Sequence, residues 1–277
     1  MFNMRLMKVR RGLVWVVTLG LSLVSFASLS DAVRMEITAA LEDGFYELAE
    51  QQIRSNARDV DGELDLVDQA LLAHALWGQG RFEAVLDEIS DASDDERLRY
   101  WVARTYMNLG DFEAGLARLE GDQSVGVMAV DRLRLKGRLL VELDRLEEAE
   151  GVFLRFESMA ESDEAMAENA YDLAWVLRKQ NRVDEALEQL RKVEAIAGGE
   201  LIYRVRLLLA ELLVESDADE AGAIFESLMK NVEAGRVYRL QAAHFLAERE
   251  MERGDLQASI RLLEQTIDWI DTSVGRV

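Results

Sequence analysis

Between Tyr100 and Glu120 the apolar positions come at helical spacing, break once, and resume. Val102, Ala103 and Tyr106 share one face. After Leu109-Gly110-Asp111, the residues Phe112, Gly115, Leu116 and Leu119 share another. The pattern predicts two short helices joined by a tight turn. Gly110 ends the first in the left-handed conformation and Asp111 caps the second. The same arrangement recurs along the chain. Turn signals stand at Gly44-Phe45-Tyr46, Gly80-Arg81-Phe82, Gly110-Asp111-Phe112, Asp144-Arg145-Leu146, Asn181-Arg182-Val183, Ser216-Asp217-Ala218 and Gly254-Asp255-Leu256, and their first residues are 36, 30, 34, 37, 35 and 38 apart. The shortest interval implies one short helix.

Around each turn the same size pattern returns. Five residues after the turn start come Ala49, Val85, Gly115, Ala149, Ala186, Ala221 and Ser259. Seven residues before the last six turns come Ala73, Ala103, Gly137, Ala174, Leu209 and Ala247. Small residues at facing positions let two helices approach closely. Nine residues after the turn a larger apolar residue follows: Ile89, Leu119, Phe153, Leu190, Phe225 and Leu263. This pattern resembles the tetratricopeptide repeat, a helix–turn–helix unit of about 34 residues. It lacks that family's early Trp and the proline that ends each repeat. The resemblance covers about residues 30–271 as seven hairpins and implies an all-α, right-handed α-solenoid superhelix stabilised by neighbour contacts.

In chain order, Ser30 or Asp31 caps the first helix, and Asp59 to Glu63 is a polar link. Ser93-Asp94-Asp95 caps the third hairpin, which reaches Glu120, and Gly121 to Ser124 is the next joint. Ser162 caps the fifth hairpin, Gly198-Gly199 separates fifth from sixth, and the last runs from Ala234 to Asp271. No joint is long enough to be a domain linker, so residues 28–277 read as a single repeat domain. The chain has no proline, which fits helices joined by tight turns. It has no cysteine, which removes disulfides, thiolate metal sites and cysteine nucleophiles.

Residues 1–12 carry Arg5, Lys8, Arg10 and Arg11 and no acid, and Leu13 to Phe26 is almost wholly apolar. Ser25-Phe26-Ala27 places small residues where a signal peptidase reads. Residues 1–27 therefore read as a secretory signal or, uncleaved, an N-terminal membrane anchor. The expected location is periplasmic, in the envelope of a Gram-negative bacterium, or inner-membrane anchored facing the periplasm. The formal charge of −21 makes a nucleic-acid partner unlike this chain.

No catalytic or metal-binding constellation emerges, and no cofactor is implied. The two histidines, His74 and His244, lie 170 residues apart. Ser90-Asp91-Ala92-Ser93-Asp94-Asp95 lacks the spacing and glycine of a calcium loop and reads as a solvated helix cap. Gly78-Gln79-Gly80 follows no strand and reads as a turn. Glu147-Glu148 and Asp184-Glu185 sit in first turns, where they complement the helix dipole.

In tetratricopeptide proteins the first helices line a concave groove that holds a peptide, so the resemblance directs attention to their outward stripe. In the six hairpins from the second to the seventh it lies 13, 10, 6, 3 and 2 residues before the turn. It carries seven Arg or Lys against five Asp or Glu, whereas the whole chain carries 32 against 53. The expected partner-binding residues are Arg97, Tyr100, Arg104, Asn108, Arg134, Arg138, Tyr171, Trp175, Arg178, Tyr203 and Arg206. Arginine forks suit carboxylates, and aromatic rings offer contact area at low entropic cost. The alternative is that these arginines pair with acids on neighbouring repeats while the rings fill helix seams. Trp77 reads as core, and His74 as a packing or groove-edge residue.

The reading that results is a non-enzymatic scaffold of the cell envelope. It binds an acidic and apolar peptide, or a chain-terminal carboxylate, of another protein. Its rivals are a structural or assembly subunit acting through outer or terminal surfaces and, distantly, an all-helical glycan-cleaving enzyme. At the C-terminal end, Ile267, Trp269 and Ile270 either cap the last helix or meet a partner, leaving a monomer or weak homodimer.

Overall fold

The computed structural model describes residues 29–58, 64–89, 95–119, 128–157, 159 and 162–271. Residues 1–27, expected to be a signal or anchor, the link Asp59 to Glu63, the acidic stretch Ser90 to Asp94, the joint Gly121 to Ser124, and the side chains of Trp269 and Ile270 lie outside what is described. Among the described residues there are fourteen α-helices, one short 3-10 turn and no strand. The chain divides into two compact units, one ending at Gly110 and the other beginning at Asp111.

The first unit holds α1 (Asp31–Glu42), α2 (Tyr46–Arg58), α3 (Leu66–Gly78), α4 (Phe82–Glu88) and α5 (Glu96–Leu109). The second holds α6 (Phe112–Arg118), α7 (Ala129–Glu142), α8 (Leu146–Glu157), α9 (Asp163–Lys179), α10 (Val183–Glu194), α11 (Leu201–Leu213), α12 (Ala218–Lys230), α13 (Gly235–Glu252) and α14 (Leu256–Asp271). Within each unit every helix packs on its neighbours in sequence, and first helices also pack on first helices: α1 on α3 and α3 on α5, then α7 on α9, α9 on α11 and α11 on α13. That is the stacking of a helical-pair array.

The turns form as their residues dictate. Gly44, Gly80, Gly110 and Gly254 adopt positive φ, as do Asp144 and Asn181 at 56° and 61°. Asp and Asn are the side-chain-bearing residues that tolerate this region best. The next N–H then reaches back five residues, from Phe45, Arg81, Arg145, Arg182 and Asp255 to the carbonyls of Ala40, Leu76, Leu140, Leu177 and Glu250. This bond satisfies a carbonyl that the ended helix leaves open. The expected turn start Ser216 behaves differently. The connection from Leu213 to Ala218 is one residue longer, and both Ser216 and Asp217 donate to the Leu213 carbonyl. The extra residue closes the turn without putting serine in the left-handed region.

Ser30, Asp95, Asp111 and Ser162 cap their helices as expected. Asp65, not anticipated, caps α3 through the N–H groups of Val67 and Asp68. The second helix of the third hairpin stops at Arg118 instead of Glu120, because the Leu119 N–H closes onto Leu116. Two second helices, α4 and α6, are therefore short. The small residues do what their size implies: Ala49, Ala73, Ala103, Ala149, Ala174 and Ala186 are fully buried. A methyl on Gly137 would lie 2.5 Å from the Phe153 ring, so glycine is required there.

One polar device occurs in both units. Glu50 on α2 accepts from Gln79 and Arg81 at the following turn. Glu150 on α8 accepts from Gln180 and Arg182 in the same way. The arginine that follows the turn residue thus ties a second helix to the next turn. Among the described residues no helix is long and apolar enough to cross a membrane.

Candidate functional site

In the first unit, α3 and α5 run side by side, and their stripes bring together an aromatic cluster around one arginine. His74 and Trp77 are one turn apart on α3, and Tyr100, Trp101 and Arg104 occupy the facing stretch of α5. The Arg104 guanidinium lies 3.7 Å from the Trp77 ring centroid, 5.2 Å from that of Trp101 and 5.8 Å from that of Tyr100. Its Nη1 donates to the Tyr100 hydroxyl at 3.1 Å. His74 stacks on Trp101 with centroids 4.2 Å apart, and Tyr46 approaches from α2 at 6.0 Å. A methyl on Gly78 would fall within 2.5 Å of the Tyr46 ring, so this helical glycine serves close approach, while Gly80 makes the turn. Burial, and then the charge of Arg104, push the His74 pKa down to about 4. His74 is therefore neutral near pH 7, and Arg104 supplies the positive charge of the cluster.

Around this cluster, Arg97 pairs at 2.7 Å with Asp95, the N-cap residue two positions before it. Burial opposes ionisation of Asp95, but Arg97 and the capped N–H groups hold its carboxyl below the usual range. Asn108 donates to the Arg104 carbonyl and belongs to the helix end.

In the second unit the expected arginines meet carboxylates. Asp172 on α9 is buried and accepts from Arg134 at 2.8 Å and from Arg138 at 3.0 and 3.1 Å, both on α7. Arg134 also pairs with Glu168. Burial pushes the Arg134 pKa down against the pull of Asp172. Arg178 donates to Glu211 on α11 at 2.7 Å, and Arg206 to Glu194 on α10 at 3.1 Å. The rings sit among these pairs. Arg178 lies over Trp175 at 5.0 Å, and Tyr203 is 6.1 Å from Tyr238. Tyr238 donates to Glu200 at 2.6 Å; its burial and then that bond push its pKa up to about 12.

Four participants were absent from the expected set. Trp101 floors the first cluster, Asp172 and Glu211 tie the second, and Arg204 lies over Tyr171 at 4.4 Å. Arg204 also lines an open crevice of about 610 Å³ whose other charged residues are Asp163, Glu164, Glu168 and Glu200. Four carboxylates around one guanidinium make that crevice a poor host for an anion. The acids have a sequence signal: Glu168, Asp172 and Glu211 stand 33 or 34 residues after Arg134, Arg138 and Arg178, one repeat length on. Among the described residues no group of three or more His, Asp or Glu side chains is placed to hold a metal ion.

No protein-family model matches the sequence, and no curated protein matches it significantly. Solved structures do. A tetratricopeptide repeat protein from Parabacteroides merdae is 14% identical, with a TM-score of 0.60 over 86% of this chain and 92% of its own. PilF of Pseudomonas aeruginosa is 17% identical, with a TM-score of 0.56 over 74% and 94%. A Rap protein complexed with Competence and Sporulation Factor is 10% identical, with a TM-score of 0.58 over 86% and 75%. With the stacked helical pairs and their left-handed turn residues, these likenesses establish that the chain has the tetratricopeptide-type helical-repeat fold.

Proposed function

We propose that this chain is a non-enzymatic scaffold that binds a segment of another protein, and that the first unit holds an acidic side chain or terminal carboxylate of that segment. The carrying observation is Arg104. Its guanidinium is stacked on Trp77, its described hydrogen-bond partner is the neutral Tyr100 hydroxyl, and no carboxylate pairs with it among the described residues. A planar cation held by rings keeps donor edges for an incoming carboxylate, and the rings beside it suit an adjoining apolar side chain. The fold supports a binding role, since one similar structure is of a protein holding a bound factor. Arg97, Arg134, Arg138, Arg178 and Arg206 serve in this reading as ties that fix the helices, with Tyr171, Trp175 and Tyr203 as contact surface.

The test is binding of an acidic peptide library to the wild-type protein and to Arg104→Glu, with Arg236→Glu as a surface control. Arg104→Glu should weaken the bound peptides at least tenfold while its circular dichroism and the control's affinity stay unchanged. Equal binding by both folded proteins overturns the assignment. The basic start and apolar run of residues 1–27 support export to the periplasm. Fractionation of cells making the full chain tests this, and recovery with the cytoplasm would refute it. A second reading, an assembly subunit working through a terminal surface, is favoured by the exposed face of α14.

A further inference from the structure

Five residues before the turn, a first helix places a side chain in the core. Ala75, Thr105, Leu139 and Val176 hold this position before the turns at Gly80, Gly110, Asp144 and Asn181, and all four are fully buried. Before the turn at Gly254 the same position is Arg249. Room for it comes from α12, where a methyl on Gly222 would overlap the Arg249 guanidinium. The Arg249 Nε is buried and has no hydrogen-bond partner. Glu250 stands 3.7 Å from that nitrogen, beyond hydrogen-bond distance, and is bonded instead to Arg253 at 3.2 Å. An unsatisfied buried donor costs free energy, and a chain with 53 acidic residues does not lack acceptors. The packing of the hairpins gives no reason for a guanidinium at this position.

Arg249 forms part of the wall of an open crevice of about 400 Å³ between α12, α13 and α14. Met229, Leu246 and Leu262 give the crevice apolar surface, and Lys230 and Arg261 line it beside the acids Glu226 and Glu250. Both acids are engaged, Glu226 with Lys230 at 3.0 Å and Glu250 with Arg253. The guanidiniums of Arg249 and Arg261 are left with no carboxylate at hydrogen-bond distance among the described residues. We infer that this crevice binds a small monocarboxylate that carries an apolar body. The carboxylate accepts from Arg249 and Arg261, whose planar forks suit it, and the body covers Met229, Leu246 and Leu262. Three cations against two acids leave one positive charge, which matches a single carboxylate better than a phosphate dianion. The volume falls within the range of small-molecule sites, about 300–1,000 Å³. Two of the three walls are second helices, so the site is separate from the first-helix stripe and stands whether or not Arg104 binds a peptide.

The probe is 3-phenylpropanoate, a monocarboxylate with a benzyl-sized body, titrated into the full chain while the Met229 methyl is followed by NMR. The signal should saturate with a dissociation constant of about 1 mM or below, as suits a ligand of this size. On the wild type, 3-phenylpropanamide keeps the shape without the charge and should bind at least about tenfold more weakly. Arg249→Met keeps the apolar stem and should weaken the acid by a similar factor. Gly222→Ala leaves every charge in place but displaces the guanidinium, and should weaken it too. Arg236→Met, outside the crevice, should change nothing. Circular dichroism checks that each variant is folded, and the comparison of acid with amide needs no variant. Failure to saturate by about 10 mM, an amide bound as tightly as the acid, or inorganic phosphate bound more tightly than either overturns the inference. Undiminished binding of the acid by folded Arg249→Met overturns it as well.

Discussion

The two units place arginines on the same stripe of their first helices and use them differently. In the second, Arg134 and Arg138 converge on Asp172 and Arg178 meets Glu211, so each cation is spent inside the unit. The first unit also has such ties, from Arg34 to the buried Asp68 and from Arg54 to Glu88. Arg104 departs from them. The positions 33 and 34 residues after it are Gly137 and Arg138, so the period that brings an acid to Arg34, Arg54, Arg134, Arg138 and Arg178 brings none here, and aromatic faces take the acid's place. The difference teaches that in a repeat array an acid standing one period after an arginine makes that arginine a tie. Without one, the arginine either finds an acid elsewhere, as Arg206 finds Glu194, or keeps its donors, as Arg104 does.

The largest effect should come from cutting a tie. Asp172 lies under two guanidiniums, and burial already works against the charge of Arg134. Breaking a buried ion pair from one side costs about 3–5 kcal/mol. Glu168 stays beside Arg134, and Arg138 is about a third exposed, so Asp172→Ala should cost about 2–3 kcal/mol in urea denaturation. Glu211→Ala removes a more exposed pair and should cost about 1 kcal/mol or less. Equal losses from the two variants would break the distinction between buried ties and surface pairs.

Most of the fold was legible in the sequence because its rules are local. Glycine, aspartate or asparagine at the turn start, small residues on facing helices, and a large residue nine positions on each follow from the space or conformation required there. Ser216 does mark a turn, but one residue more in the connection closes it without the left-handed residue that the other turns use. The candidate site was half legible. The stripe named Arg104 and Tyr100, but a stripe marks a side of a helix and is silent about what lies opposite. Trp101 points to the seam beside the stripe, and Asp172 sits one residue beyond it. Comparing each arginine with the residue one repeat later would have found Glu168, Asp172 and Glu211.

An intermediate effect follows from His74. Burial and Arg104 hold its pKa at about 4 in the folded protein, against a model-peptide value of 6.5. Between those values the unfolded chain binds the proton and the folded chain does not, so stability rises with pH through this window and falls as the pH drops from 6.5 to 4. The ring is partly open to solvent, and with screening the loss should be about 1–2 kcal/mol. Urea midpoints at pH 7 and pH 4.5, compared between the wild type and His74→Gln, measure it. The variant should lose less than the wild type over that interval, since its other titrating groups are the same; an equal loss would place His74 outside the cluster.

The smallest effect isolates what the Trp77 face contributes. Arg104→Lys keeps the charge but replaces a planar fork by a strongly hydrated ammonium, which stacks less well on indole. Cation–π contacts contribute about 0.5–1 kcal/mol at exposed sites and more when desolvated, so the substitution should cost about 0.5–1 kcal/mol. Arg104→Met removes the charge and keeps an apolar stem. The histidine resolves the two terms, because proton NMR can follow the His74 ring in a chain with two histidines. Its pKa should rise in Arg104→Met, where only burial still opposes protonation, and stay near the wild-type value in Arg104→Lys. An unchanged His74 in both variants would mean that the guanidinium does not lie over this cluster, and the contrast between Arg104 and the tied Arg134, Arg138 and Arg178 would lose its basis.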